Sequence, residues 1–146
     1  MKKFTTAVLL LLLLSSCTDN TIYNRFRHIH GDGWSRFDTL TFNPPEVQEN
    51  GLYTCRMHIR TRTDFPYSTI WICREYRSHR DTIRLDLSHD KAHLDGKGLD
   101  ILSFDFPAPP IRLLCRRHDS IRIYHLMQTP EEIPGIHEIG IKLSRR

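Results

Sequence analysis

The chain has 146 residues, with 21 lysines and arginines against 17 acids, nine histidines and four cysteines. That length suits one domain with one adequate core. Setting aside a leader at 1–16 that holds Lys2 and Lys3 leaves 19 bases against 17 acids, a balance too near neutral to point to nucleic acid.

The first residues, Met1-Lys2-Lys3, are followed by an apolar stretch over 4–14 that ends in six leucines, then by Ser15-Ser16 and Cys17. A positive start, a short apolar core and a small-residue cleavage site make a secretory signal. A spanning helix needs about 20 apolar residues, so this segment is expected to be cut away. Leu14-Ser15-Ser16-Cys17 resembles the bacterial lipobox, in which the cysteine thiol receives lipid. Cys17 is therefore expected to be an anchor, and acylation of the new amino terminus would make that anchor stable. Residues 17–33 are polar and end in Gly31-Asp32-Gly33, which predicts a lipidated tether, with ordered structure starting near Trp34 and one domain over 34–146.

Beyond the tether the pattern has period two, the signature of strands. Tyr53, Cys55, Met57 and Ile59 alternate with Thr54, Arg56, His58 and Arg60; Ile83, Leu85 and Leu87 alternate with Thr82, Arg84 and Asp86; Ile139, Ile141 and Leu143 alternate with Gly140 and Lys142. One packed and one wet face of this kind belongs to antiparallel sheets. Ile70-Trp71-Ile72-Cys73 is apolar on both faces and predicts a central strand. Weaker runs fall at 40–42, 101–106, 111–115 and 120–127. Between runs stand Asn43-Pro44-Pro45, Asn50-Gly51, 64–66, Gly96-Lys97-Gly98 and Pro107-Ala108-Pro109-Pro110, all breakers. Thr129-Pro130-Glu131-Glu132 has helix-start chemistry, but Pro134-Gly135 stops it within about a turn. Seven or eight short strands predict an all-β, antiparallel β-sandwich.

Cys55, Cys73 and Cys115 remain in a compartment that permits disulfides. Two readings stand: three buried thiols acting as small apolar residues, or one disulfide between Cys55 and Cys73 of successive strands. No C-x-x-C spacing occurs, which removes a zinc ribbon or a thioredoxin-like motif. The best metal candidate is His89-Asp90-x-x-His93 with Asp95, but two histidines four apart need a helix to align them, and the flanks read as loop. No G-x-S-x-G is present, and the cysteines sit in apolar strands, so neither a catalytic residue nor a cofactor is expected. Arg56, Arg60, Arg62, Arg74, Arg77, Arg80 and Arg84 could form a basic stripe on the sheet's outer face, or be balanced there by Asp64, Glu75, Asp81 and Asp86. Aromatics and arginines are the usual interface anchors, which makes Trp34, Phe65, Tyr67, Trp71, Arg60 and Arg62 the candidate surface for a protein partner or a glycan.

Several segments together resemble the GldH-type gliding motility lipoproteins of the Bacteroidota. They are the lipobox, Gly33-Trp34, Ile59-Arg60 followed by Asp64-Phe65-Pro66-Tyr67-Ser68-Thr69-Ile70-Trp71, then Asp81-Thr82, Gly96-Lys97-Gly98, and the ending from Met127 through Gly135-Ile136-His137-Glu138-Ile139-Gly140-Ile141. The chain departs from that pattern at His93, where tryptophan is expected, and at Thr69, where asparagine is. The resemblance implies an outer-membrane lipoprotein without enzyme chemistry, held to the membrane by its lipid and partnered by other envelope or gliding proteins, with no small-molecule ligand expected. In the setting that the resemblance implies, an acidic cluster after the lipid cysteine directs a lipoprotein to the cell surface; only Asp19 is acidic near Cys17, so the periplasmic side of the membrane is expected over the cell surface. A binding module for glycan or cell-wall polymer is the alternative.

Overall fold

The computed structural model describes residues 20–89 and 93–146, so the leader and Cys17 lie outside the described residues. Strands run in the order β1 (Thr21–His28), β2 (Gly33–Ser35), β3 (Leu40–Phe42), β4 (Gly51–Arg62), β5 (Thr69–Tyr76), β6 (His79–Asp86), β7 (Ile101–Leu113), β8 (Ile121–His125), β9 (Glu132–Pro134) and β10 (Ile136–Arg145). Two four-stranded antiparallel sheets form, with orders β1-β10-β4-β7 and β3-β8-β5-β6, and β2 pairs with β9 in a short ribbon. The fold is all-β, with its sheets packed over one apolar core, as the alternation predicts.

The core follows from that alternation. In β4 the residues Tyr53, Cys55, Met57, Ile59 and Thr61 are buried while those between them face outward. β10 supplies Ile139, Ile141 and Leu143, each 0% exposed. Facing them across the sandwich are Ile70 and Ile72 of β5, Leu85 of β6, and Ile121 and Ile123 of β8, also 0% exposed. Each such side chain contributes about 1.5–3 kcal/mol by leaving water. β5 lies between β8 and β6, the central position expected of it.

Three elements differ from the sequence reading. The stretch expected to be tether contributes β1, which pairs with β10 from Thr21↔Ser144 to His28↔Glu138. Only Tyr23 of β1 is buried, so this edge strand is held by its ladder and carries almost no apolar signal. Its Tyr23 hydroxyl accepts the Asn43 N–H at 3.0 Å. The prolines at 107–110, read as a break, lie inside one continuous strand, β7. β7 is an edge strand, where a missing N–H costs no ladder bond on the open side, and a register shift between Tyr53 and Cys55 absorbs the extra residues. The segment after Pro130 forms no helix: Glu132 opens β9, where Ile133 pairs with Trp34.

Arg74 was grouped with the outward arginines, yet it points between the sheets and is 1% exposed. It shares a parity with Ile70, Ile72 and Tyr76 along β5. Its guanidinium donates to the Pro109 carbonyl of β7 at 2.6 Å and to the Asp81 carboxylate of β6. The Cys55 thiol of β4 lies against it, with a pKa raised by burial and partly offset by the neighbouring positive charge. Cys55 and Cys73 are free and buried, and Cys115 is free and half-buried, so the thiol reading holds for the first two and the disulfide does not form.

His125, 2% exposed, ends β8 beneath the β2–β9 ribbon. Its Nε2 lies 3.0 Å from the Trp34 carbonyl, and its ring meets the Trp34 indole edge-on at 5.3 Å. Burial lowers its pKa, opposed by the carbonyls of Trp34 and Glu131. Burial also lowers that of His58, opposed by Asp105.

Two outcomes are expected. Arg74→Ala removes the donor to the part-exposed Asp81 carboxylate and to the Pro109 carbonyl and empties space between the sheets, and it should cost about 2 kcal/mol, read as a lower urea midpoint; an unchanged midpoint would show that Arg74 does not hold the sheets together. Because the folded-state histidine pKa values are depressed, the unfolded chain takes up protons first as pH falls below about 6.5. Stability should therefore be full above that pH and decline on acidification towards the folded values. His125→Gln should flatten the decline in a pH series of thermal unfolding.

Candidate functional site

The sandwich has two ends. One carries Asn20, the start of β4 and the end of β10; at the other, the connections β4–β5, β6–β7 and β9–β10 converge. Most segments that carry the family resemblance meet at this second end. Here lies a recess of about 370 Å³ walled by residues 63–68, Ser88, His93, Leu94 and Leu102, to which the shared segment that starts at Asp64 contributes one wall.

Its walls are set by backbone bonds and tight contacts. The Leu87 and Ser88 N–H groups both donate to the Ser68 carbonyl, at 2.7 and 3.2 Å, and Asp95 N–H donates to Leu87 O at 2.8 Å. Lys97 and Ser103 exchange backbone bonds, turning the chain back into β7. A Cβ at Gly96 would lie 2.6 Å from the Phe104 ring and 2.7 Å from Leu102 Cβ, closer than packed atoms approach, so glycine is needed there. Gly135 has φ +80°, a left-handed conformation that glycine adopts without strain, and its carbonyl accepts Arg62 N–H at 2.8 Å.

The six candidate surface residues separate into different places. Trp34 is 0% exposed and its indole N–H donates to Asp38 O at 3.1 Å; it is core. Phe65 is 5% exposed and packs edge-on against Tyr67, centroids 5.5 Å apart; it supports the recess from beneath. Tyr67 is half-buried at the recess wall. Trp71 is 42% exposed on the outer face of β5, with the Arg84 guanidinium 5.8 Å from its ring centre. Arg62 pairs with Asp64 at 2.7 Å beside the recess. Arg60 lies on the outer face of the other sheet, paired with Glu138 at 2.8 Å.

That outer face holds a cluster absent from the sequence reading. Gly140 of β10 leaves room for the Phe26 ring, which would come within 2.6 Å of a Cβ there. Phe26 also meets His58 at 5.6 Å and lies under Arg60 at 5.2 Å. The signal was present in the glycine interrupting β10, but its partner strand had been read as tether.

The arginine stripe is electrically balanced. Arg56 binds Asp105, Arg84 binds Asp86, and Arg80 and Arg122 both bind Glu75 at 2.7 Å. Glu75 also accepts from the Tyr124 hydroxyl at 2.9 Å, the leading cause of its lowered pKa. Of the metal candidates, His89 is paired with Asp95 and Asp90 lies outside the described residues. Among the described residues no three His, Cys, Asp or Glu side chains converge. The geometry offers a polar recess for contact, with aromatic packing beneath it.

The model of the GldH lipoprotein family matches residues 21–143. No curated protein matches the chain. Among solved structures, the Eiger TNF protein from S. frugiperda is similar at 14% identity, with a TM-score of 0.38, over 87% of this chain and 93% of that one.

The contrast between the two tryptophans can be measured. Acrylamide should quench only the Trp71 part of the intrinsic fluorescence, and Trp71→Phe should abolish the quenchable fraction with little change in stability. Loss of that fraction in Trp34→Phe instead would place Trp34 at the surface.

Proposed function

The chain belongs to the GldH lipoprotein family, and from that membership we propose an outer-membrane lipoprotein that is a non-catalytic component or stabiliser of the gliding-motility or wider cell-envelope machinery. It is anchored through lipid on Cys17, on the periplasmic side. The family match over 21–143 carries this reading, and the lipobox at 14–17 supports the anchor. The recess walled by 63–68 and 93–94 is the proposed contact for an envelope protein, since the shared segment that starts at Asp64 forms one of its walls.

Support for a binding role comes from how the reactive side chains are used. Cys55 and Cys73 are buried, Arg74 is spent between the sheets, and Glu75 is held by a tyrosine and two arginines. The glycan alternative is weakened because Trp34 and Phe65 belong to the core, while Tyr67 and Trp71 stand on separate surfaces.

In the native host, Cys17→Ala should leave an uncleaved precursor that fails to reach the outer membrane. Maturation of that variant to wild-type size, with outer-membrane fractionation, would overturn the anchor. Recovery of the wild-type protein without partners at every detergent strength, even after cross-linking in cells, would overturn the role in a machine.

A further inference from the structure

Charges that take part in no ion pair are sorted by end. At the end carrying Asn20 stand five exposed arginines, Arg112, Arg116, Arg117, Arg145 and Arg146, and none of them has a carboxylate partner among the described residues. The acids nearby are largely engaged: Asp119 faces Arg77 and Glu46 faces His118, leaving Glu49 unpaired. At the recess end the imbalance reverses. Among the described residues, Asp32, Asp38, Asp100, Glu131 and Glu132 are exposed there with no ion pair, against Arg36 and Lys97.

Two further observations fix what the basic end meets. The backbone N–H of Arg145 donates to Asn20 O at 2.9 Å, which seats the terminal arginines beside the chain arriving from Cys17. Only Thr18 and Asp19 stand between Cys17 and Asn20, so the two are three residue steps apart, and an extended chain spans at most about 3.6 Å per step. Cys17 therefore lies within about 11 Å of this end, comparable to the Debye length of about 8–10 Å at physiological salt. A recess of about 250 Å³ here is walled by Leu52, Tyr76 and Ile111 with Asp81, and Arg112 and His79 stand at it as donors that could reach a headgroup phosphate.

We infer that this end is an electrostatic foot, which seats the domain on anionic phospholipid headgroups of the membrane that holds its anchor. The inference rests on the lipid anchor proposed above. Guanidinium groups at the foot bind headgroup phosphates, and the acidic recess end is repelled from the same surface. The domain then stands upright, with its recess directed away from the membrane. Basic side chains near an anionic surface each strengthen adhesion by roughly fivefold, so several together bias orientation well beyond what a flexible tether allows.

The test uses the protein purified from membranes and reconstituted in vesicles of phosphatidylcholine, with or without phosphatidylglycerol, each carrying a photoactivatable analogue of its own lipid. Cross-linked peptides are mapped by mass spectrometry. With phosphatidylglycerol, labelling should concentrate on 76–80, 112–118 and 143–146, roughly tenfold above 96–101 and 131–135. The bias should fall away in phosphatidylcholine, at about 0.5 M salt, and in a variant with Arg112→Gln, Arg117→Gln, Arg145→Gln and Arg146→Gln. Even labelling of the two ends, or a bias unchanged in the variant, overturns the foot. Intact mass of the same sample reports the lipid separately. Acylated protein with even labelling removes the foot and keeps the anchor, whereas unacylated protein with phosphatidylglycerol-dependent labelling removes the anchor and keeps the foot.

Discussion

The arrangement of one whole end of the sandwich follows from the guanidinium of Arg74, enclosed between two sheets. A buried charge is tolerated only when paired and hydrogen-bonded, and this one draws its partners from three strands besides its own. Asp81 of β6 supplies the carboxylate, and Cys55 of β4 supplies a side chain small enough to leave room. Pro109 supplies a carbonyl, within the stretch where β7 has shifted register against β4. The run of prolines, the irregular register and the small residue in β4 are thus parts of one solution. A straight β7 with an ordinary ladder would have turned that carbonyl towards its neighbour strand.

At the other end apolar packing and backbone bonds take over. Trp34, Ile133 and His125 close the core under the β2–β9 ribbon, while Phe65 and the glycine at 96 draw the recess walls together. Both ends are built on the same long strands, β4, β7 and β10, so the proposed partner contact and the inferred foot are held at fixed separation by the core between them.

Much of this was legible in the sequence. The packed faces of β4, β6 and β10 were marked by alternation, and the central place of β5 by its apolar run. Even Arg74 could have been placed, since it keeps step with Ile70 and Ile72. β1 was hidden because an edge strand held mainly by backbone bonds needs few apolar residues. β7 was read as two pieces because the tolerance of proline depends on which strand is at the edge, a property of the assembled sheet. The burial of Trp34 and Phe65 leaves no mark in the sequence, because loop aromatics become core only when remote segments close over them. The recess itself required strand order, as its walls come from connections far apart in the chain.

Strand β1 has a mechanical consequence. It begins at the end nearest the proposed anchor and lies antiparallel along β10, which runs back from the recess end. Tension between a membrane anchor and a partner gripping the recess would travel parallel to the strands. The hydrogen bonds of the β1–β10 ladder would then be loaded in shear, all at once, instead of being peeled open one by one. A polar edge strand with a single buried side chain is a poor contributor to a core, but under such tension it would serve as a strap whose strength grows with the number of rungs it shares with β10.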